Sequence, residues 1–509
     1  MSLDPSTVPR PDDLTRIVDW SGAELSAAIA GGQVTCVEVM AAYLDHIDLV
    51  NPHVNAIVSL RPRDELLAEA AEKDARLARG ERQGWMHGFP HAVKDLADVA
   101  GLPTTKGFYR PLESVPPATC DAGFVQRIRA AGAIFIGKTN TPELGLGSQT
   151  YNRVHGLTRN PYDLTRTPGG SSGGAAAAVA LRLLPVADGS DFMGSLRNPP
   201  GWTNVYGLRP SFGRVPAGEG ELFVDQGSVA GPIARTPLDL ALLLGTMSGY
   251  AAQAPLSLDG PGLDVAACCR PLAGGRVLWL RDLGGYLPME PEVLEICDAA
   301  VERLAGLGFE VTFRDELPAH GGFRGTDDLW ELWRTYRHVL AGGAIRPLYE
   351  DPRTRAMLKP EAVYEVDGLL HGLAGAGPIT AADLLAASAR RSDLYRGFLG
   401  LFETTDFVLL PTAQVMPFDV RTPWPEQVAG RPMSSYHRWM EVATIGTLLG
   451  APTLAMPAGF GPSGLPVGLQ VIGPNHADTA VLRLAATWHA ATRWPERRRP
   501  KLLTGGRSV

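Results

Sequence analysis

Two stretches decide the fold of this chain, Thr-Pro-Gly-Gly-Ser-Ser-Gly-Gly at positions 167–174 and Gly-Ser-Asp-Phe-Met-Gly-Ser-Leu-Arg-Asn-Pro at positions 189–199. They hold Ser171 and Ser195 in turns rich in glycine. Glycine lets backbone segments approach closely and adopts positive φ readily. A serine in such a turn either caps a helix or is an exposed nucleophile. A hydrolase also needs a base and N–H groups directed at an oxyanion. The turns supply candidates for the hydroxyl and the N–H groups, and the base has to come from elsewhere.

A candidate base lies upstream of both turns. Lys94 ends the apolar segment Pro90-His91-Ala92-Val93. A buried ammonium is costly unless it is paired or neutralised. Desolvation lowers the pKa of such an amine, which suits a general base. Each residue alone also has an ordinary interpretation. Lys94 can be a salt-bridged lysine, Ser171 a helix cap and Ser195 a turn serine.

Lys94, Ser171 and Ser195 belong to a series of separated motifs that follow one another in a fixed order. In chain order they are Lys94-Asp95, Pro103-Thr104-Thr105, Asn160-Pro161, the two serine turns, Tyr206-Gly207-Leu208-Arg209-Pro210, Gly213-Arg214-Val215-Pro216 and Gly464-Leu465-Pro466-Val467-Gly468-Leu469-Gln470. With these motifs, over most of residues 20–220 and 405–490, the chain resembles the amidase signature family. The resemblance implies an α/β fold. It has a large twisted mixed β-sheet core, helices on both faces and a mostly helical variable insert.

The resemblance also implies the chemistry. Family members cleave amide C–N bonds through an acyl-enzyme with a Ser-cisSer-Lys triad. By position, Ser195 attacks the acyl carbonyl. Ser171, after a cis peptide bond, bridges Ser195 to Lys94, which is the base when neutral. Neither a metal nor an organic cofactor is implied.

Residues around the second turn take supporting roles by the same resemblance. Those that brace the turn are Ser172, Asp191 and Arg197, and the oxyanion hole consists of the backbone amides of Phe192, Met193, Gly194 and Ser195. Met193 departs from the family pattern, which usually has glycine there. Because a Cβ disfavours positive φ, either the backbone stays in an ordinary region or strain is tolerated. We expect the Met193 side chain to form part of the acyl pocket and to shift the acyl preference.

Candidate substrate contacts come from two further regions. Gly145, Gly147 and Ser148 match positions that line the acyl side in the family, and small residues there leave room. Trp330, Trp333 and Tyr336 lie about one helical turn apart and are candidates for an apolar mouth. Packing of that helix face in the core is the favoured alternative. Without a dense basic cluster, we expect apolar or aryl amides, anilides or carbamates (urethanes), and esters as a further class.

The rest of the chain predicts an alternation of strands and helices, which indicates an α/β layer fold. Residues 1–14 are interpreted as a flexible arm. Residues 15–509 are interpreted as a single domain with a variable specificity region at about 240–405. Within that region, Arg276–Leu280, Pro291–Leu307 and Phe309–Phe313 predict a β-α-β unit. Ala477–Ala491 predicts a closing helix.

Composition argues against several functional classes. The net charge of −7 and the lack of a long basic run argue against nucleic acid as a partner. The longest apolar run, Ala175–Leu184, is too short to span a bilayer. The polar N-terminus does not resemble a signal peptide, and the five cysteines have no metal-ligand spacing. We therefore expect a cytoplasmic monomer or homodimer that acts on a small molecule.

Three alternatives stay open at this point. The chain could be the A subunit of glutaminyl-tRNA amidotransferase, which shares the fold and needs partner subunits. It could be a non-catalytic binding protein that retains the fold. It could also be a Ser-His-Asp hydrolase that pairs Ser171 with His437, His476 or His489, although no motif surrounds these histidines.

Overall fold

The computed structural model describes residues 16–108, 114–218, 220–260, 262–372 and 376–504. The predicted flexible arm at 1–14 lies outside them. The α-helices of the described residues are α1 (Gly22–Ala30), α2 (Cys36–Val54), α3 (Arg63–Ala78), α4 (Gly123–Ala130), α5 (Gly173–Ala180), α6 (Asn198–Trp202), α7 (Pro237–Met247), α8 (Val265–Cys268), α9 (Pro291–Gly306), α10 (Leu329–Arg337), α11 (Gly343–Glu350), α12 (Pro352–Arg355), α13 (Pro360–Leu370), α14 (Ala381–Phe402), α15 (Thr444–Leu449), α16 (Asp478–Thr492), α17 (Trp494–Arg497) and α18 (Lys501–Thr504). A π-helical turn, His338–Gly342, joins α10 to α11.

The strands form two principal sheets. They are β1 (Ile57–Val58), β2 (Pro90–Lys94), β3 (Ile134–Thr139), β4 (Tyr151–Asn152), β5 (Gly156–Leu157), β6 (Val186–Asp191), β7 (Tyr206–Arg209), β8 (Val229–Ala234), β9 (Gly275–Trp279), β10 (Phe309–Phe313), β11 (Phe407–Pro411), β12 (Gln427–Val428), β13 (Arg431–Pro432), β14 (Thr453–Phe460) and β15 (Pro466–Ile472). As far as the chain is described, the larger sheet has eight strands in the order β10-β9-β11-β15-β14-β7-β8-β6. The smaller sheet has the order β1-β3-β2.

The larger sheet is mixed. Strands β10, β9 and β11 pair in parallel, and the remaining neighbours pair antiparallel. Alternate residues of β11 belong to opposite faces, as the period of a strand requires. Phe407 and Leu409 belong to the same apolar cluster as residues of α9 and α16, and Val408 and Leu410 belong to a second cluster with residues of α10 and α15. This confirms the predicted mixed sheet between helices.

Local sequence signals explain where several helices begin. Ser21 and Thr35 cap α1 and α2, and each exchanges hydrogen bonds with a glutamate three residues later in a capping box. The β-α-β unit forms as predicted, with β9 parallel to β10 across α9. The helix predicted at Ala477–Ala491 is α16, but α17 and α18 follow it.

The strand that carries Lys94 belongs to the smaller sheet. Strand β2 pairs with β3 and lies beside β6, the edge strand of the larger sheet. Hydrogen bonds cross from β2 to Asp188 on β6. The end of β2 thereby meets the two serine turns, because α5 follows the first turn and the second turn follows β6.

Candidate active site

A buried lysine lies at the centre of the site. Lys94 is the last residue of β2 and is 2% exposed. Its Nζ lies 2.7 Å from Ser171 Oγ, 2.8 Å from Ser172 Oγ and 3.0 Å from Ser190 Oγ. Three hydroxyl groups therefore surround the amine, and an amine with a free electron pair can accept a proton from one of them.

The two serines of the glycine-rich turns are neighbours in space. Ser171 Oγ lies 3.1 Å from Ser195 Oγ, and both residues are buried. The peptide bond between Gly170 and Ser171 is cis. A Cβ at Gly170 would lie 2.9 Å from the backbone nitrogen of Gln149, so only glycine fits there. The structure thus brings Lys94, Ser171 and Ser195 into one hydrogen-bonded series.

Burial sets the protonation of the lysine. Desolvation lowers the pKa of Lys94 to about 7, although the negative charges of Asp188 and Asp191 favour its cationic form. At neutral pH a substantial fraction of this amine is therefore unprotonated. That fraction is able to take a proton from a serine hydroxyl.

Asp188 and His91 form a second buried pair behind Lys94, and no sequence motif indicated it. Asp188 Oδ2 accepts the backbone N–H of Lys94 at 3.2 Å, and Asp188 Oδ1 lies 3.0 Å from His91 Nε2. Both side chains are completely buried. The one signal in the sequence is that Asp188 is a charged residue inside strand β6, three positions before Asp191. Its partner, His91, lies on a different sheet.

Asp191 organises the second turn. Its carboxylate accepts the backbone N–H groups of Gly194 at 2.9 Å and Leu196 at 3.0 Å, and it forms two hydrogen bonds with the Arg197 guanidinium. Burial disfavours the charged carboxylate, but Arg197 and Arg209 hold the pKa of Asp191 well below its usual range. Asp191, predicted to brace the turn together with Arg197, is thus bonded both to the Arg197 guanidinium and to the backbone of the turn.

Ser172, also predicted to brace the second turn, contacts the start of that stretch as well as the lysine. It is the residue before α5, and its hydroxyl lies 2.8 Å from Lys94 Nζ, donates to the backbone oxygen of Ser190 at 3.2 Å and accepts the backbone N–H of Ser190 at 3.4 Å. Ser172 therefore links Lys94 to Ser190, the second residue of that stretch.

One of the four amides predicted for the oxyanion hole is already used. The Gly194 N–H donates to Asp191, which leaves the amides of Phe192, Met193 and Ser195 as candidates. Gly194 has φ 93°, whereas Met193 is not among the residues with positive φ. The backbone at Met193 thus stays in an ordinary region, which is one of the two outcomes expected for a residue with a Cβ.

A cavity of about 230 Å³ opens beside the serines. Gly145, Gly147 and Ser148, the residues predicted for the acyl side, line this cavity together with Met193. The other side chains that line it are mostly apolar, including Leu96, Leu144, Leu146, Leu340, Ile345 and Met440.

The aromatic residues of α10 do not line this cavity. Trp333 is 1% exposed and packs edge-to-face on Phe192, and Tyr336 lies in the same apolar cluster. Trp330 packs on His437 and under the Arg438 guanidinium. The alternative of core packing is therefore correct for this helix face. The next turn of the chain reaches the cavity instead, through Arg337 and Leu340.

The histidines of the alternative triad lie elsewhere. His437 Nδ1 lies 3.1 Å from Ser435 Oγ, and burial lowers the pKa of His437 to about 3. His489 contacts Tyr206 and Glu496. Within the described part of the chain, no histidine forms a hydrogen bond with Ser171 or Ser195. The geometry gives no support to a Ser-His-Asp triad.

Two further features concern membranes and metals. No helix in the described ranges is both long and apolar enough to cross a bilayer. Among the same residues, no three His, Cys, Asp or Glu side chains gather as a set of metal ligands.

The fold and the site define a class of enzymes, the hydrolases that act on amide bonds. The family model described as Amidase matches residues 38–482. An acylamidase of Rhodococcus erythropolis is 34% identical over 485 residues, which cover 94% of this chain and 96% of that protein. The A subunit of the glutamyl-tRNA(Gln) amidotransferase of Acidothermus cellulolyticus is 35% identical, over 94% of this chain and 96% of that protein. The crystal structure of a bacterial aryl acylamidase superposes with a TM-score of 0.85 at 28% identity, over 96% of this chain and 99% of that chain. The chain belongs to the amidase signature family.

Proposed function

We propose that this enzyme cleaves an amide through an acyl-enzyme on Ser195, with Ser171 as the proton relay and Lys94 as the base. The observation that carries the proposal is the continuous series from Lys94 Nζ to Ser171 Oγ at 2.7 Å and from Ser171 Oγ to Ser195 Oγ at 3.1 Å. Both distances allow direct proton transfer between the groups.

The series supports the following sequence of steps. Neutral Lys94 takes the Ser171 proton while Ser171 takes the Ser195 proton, and Ser195 Oγ forms a bond to the acyl carbon. The carbonyl electron pair moves to oxygen, where the free amides of the second turn stabilise it. The C–N bond then breaks, and the amine leaves with the proton that Lys94 held. Water attacks the acyl-enzyme through the same relay, which releases the acid and Ser195.

We propose apolar acyl groups, aryl groups included, as the preferred substrates, in amides, anilides or carbamates. The support is the apolar lining of the cavity and its volume of about 230 Å³. An apolar protein cavity of about 150 Å³ suffices to bind benzene. The similarity to an acylamidase and to an aryl acylamidase favours the same class.

A fluorophosphonate probe tests the nucleophile. It should label the wild-type protein and fail to label Ser195→Ala, while Lys94→Ala and Ser171→Ala should slow labelling by about 10²-fold or more because the relay is broken. Ser392→Ala, which changes an exposed serine of α14, is the matched control and should be labelled at the normal rate. Equal labelling of wild type and Ser195→Ala would reject the assignment. No labelling of the wild type would favour a non-catalytic binding protein.

A second candidate function is supported by the similarity to amidotransferase A subunits. In that case, the chain would release ammonia from glutamine only in complex with partner subunits. Assays of the purified chain alone discriminate the two functions. Turnover of para-nitroanilides without a partner supports the acylamidase function, and glutaminase activity that needs a co-purifying partner supports the amidotransferase.

A further inference from the structure

The cavity is mostly apolar, but two charged side chains, Arg337 and Asp225, also line it. Arg337, at the end of α10, is 5% exposed and lines the cavity together with Leu340 and Ile345. Its guanidinium carbon lies 4.9 Å from the ring centre of Phe192. The second turn, whose amides are candidates for the oxyanion hole, thus lies next to this cation.

Only one edge of the guanidinium is used by the protein. Nε donates to Glu365 Oε1 at 2.8 Å, and Nη2 donates to the Tyr436 hydroxyl at 2.7 Å. Tyr436 in turn donates to Glu365, and His338 Nδ1 lies 3.0 Å from the other oxygen of this carboxylate. For Nη1, on the opposite edge, the described residues provide no hydrogen-bond partner. The guanidinium is planar and its donors have fixed directions, so Nη1 remains available to the cavity.

We propose that Arg337 binds a neutral hydrogen-bond acceptor on the acyl group of the substrate, away from the carbonyl that is cleaved. Suitable acceptors are a ketone, ester or amide carbonyl, or an ether oxygen. This inference rests on the proposed function and narrows its substrate class from apolar acyl groups to acyl groups with one distal acceptor.

The local charges favour a neutral acceptor over a carboxylate. Burial opposes the ionisation of Glu365, but Arg337 and His338 hold the pKa of this carboxyl well below its usual range. The charge of Arg337 is therefore already balanced. Asp225 also lines the cavity and would repel an anion. A site built to hydrogen-bond a substrate group discriminates strongly against the analogue that lacks it.

Three para-nitroanilides of nearly equal shape test this proposal. Their acyl groups are levulinoyl, with a distal ketone, isocaproyl, with a branched methyl in its place, and succinyl, with a carboxylate. The homologues one and two methylenes longer are included to sample the distance from Ser195. For at least one length, we expect kcat/KM of the ketone to exceed that of its isostere by about tenfold or more, with the carboxylate poorer than the ketone.

Variants of Arg337 distinguish a loss of substrate recognition from a loss of the folded structure. Arg337→Met alone leaves the buried Glu365 carboxylate without its arginine partner, so Arg337→Met/Glu365→Gln is the informative variant. In this variant the ketone-to-isostere ratio should fall to within about twofold of one. Arg391→Met is the control, because Arg391 packs on Tyr336 outside the cavity, and it should keep the wild-type ratio.

Binding to Ser195→Ala gives a measurement that does not depend on turnover. Isothermal titration with the same three compounds should show the ketone binding more tightly than its isostere. Equal affinities, absence of binding by all compounds, or a ratio unchanged in the double variant would overturn the role of Arg337. If the proposed function itself were wrong, fluorophosphonate would not label the wild type. That result distinguishes failure of the proposed function from the outcomes above.

Discussion

Replacement of Asp188 by asparagine tests how the protein sets the protonation of its base. The substitution keeps the shape of the side chain and a hydrogen-bond acceptor for the Lys94 amide, but it removes the negative charge. Because Asp188 favours the cationic form of Lys94, its removal should lower the pKa of Lys94 below about 7. The base is then neutral, and the enzyme active, at lower pH than in the wild type.

The magnitude follows from the geometry. Asp188 Oδ2 lies 3.2 Å from the Lys94 backbone nitrogen, and an extended lysine side chain carries Nζ about 6 Å from its own backbone. At a separation of about 7 Å and an effective dielectric constant of about 20, one charge contributes about 2 kcal/mol. His91 shares the carboxylate and reduces this effect. We therefore expect the acid limb of kcat/KM to move down by about one to two pH units.

The assay is the pH profile of kcat/KM on a para-nitroanilide, which reports the pKa of the free enzyme. The wild type should show an acid limb near pH 7. Asp239→Asn is the matched control, because Asp239 is also completely buried and accepts two backbone N–H groups, at Gly22 and Ala23. The control should lose stability without moving the limb. A limb that stays in place in Asp188→Asn, or moves to higher pH, would refute the reasoning.

Two further predictions concern the serine turns. Met193→Gly should keep hydrolysis and raise kcat/KM for bulkier acyl groups by about tenfold relative to small ones, because it removes part of the cavity lining; an unchanged profile over an acyl series would contradict this. Gly170→Ala should abolish activity and lower the melting temperature, since its Cβ would lie 2.9 Å from the Gln149 nitrogen. Gly220→Ala is the control for a general effect of the substitution, because its Cβ meets no atom of the described residues within 4 Å. The positive φ of 75° at Gly220 adds local strain to this control. If Gly170→Ala kept wild-type stability and activity, the first turn would accommodate a larger side chain than the structure allows.

Much of the fold could be predicted because its signals are local. The capping boxes at Ser21 and Thr35 depend on residues three apart, and the unit from β9 to β10 depends on the periodicity of apolar residues. The mixed sheet, and the connection of Lys94, Ser171 and Ser195 into one triad, came from the resemblance to a family, because no local pattern joins residues so far apart in the chain.

Other features of the site depend on contacts that the sequence pattern does not encode. Asp188 meets His91 because β2 of one sheet lies against β6 of another, and no local pattern predicts that approach. The one-turn spacing of Trp330, Trp333 and Tyr336 made core packing the favoured interpretation, but it did not indicate that Arg337, just after them, reaches the cavity.

The central claim is that Ser195, and not Ser171, carries the acyl group. The most direct measurement is mass spectrometry of enzyme mixed with an acyl para-nitroanilide and quenched in acid within the first turnover. We predict a mass increase equal to the acyl group on the peptide that contains Ser195, and no adduct in Ser195→Ala. Acylation of Ser171, or hydrolysis that persists in Ser195→Ala, would contradict the account.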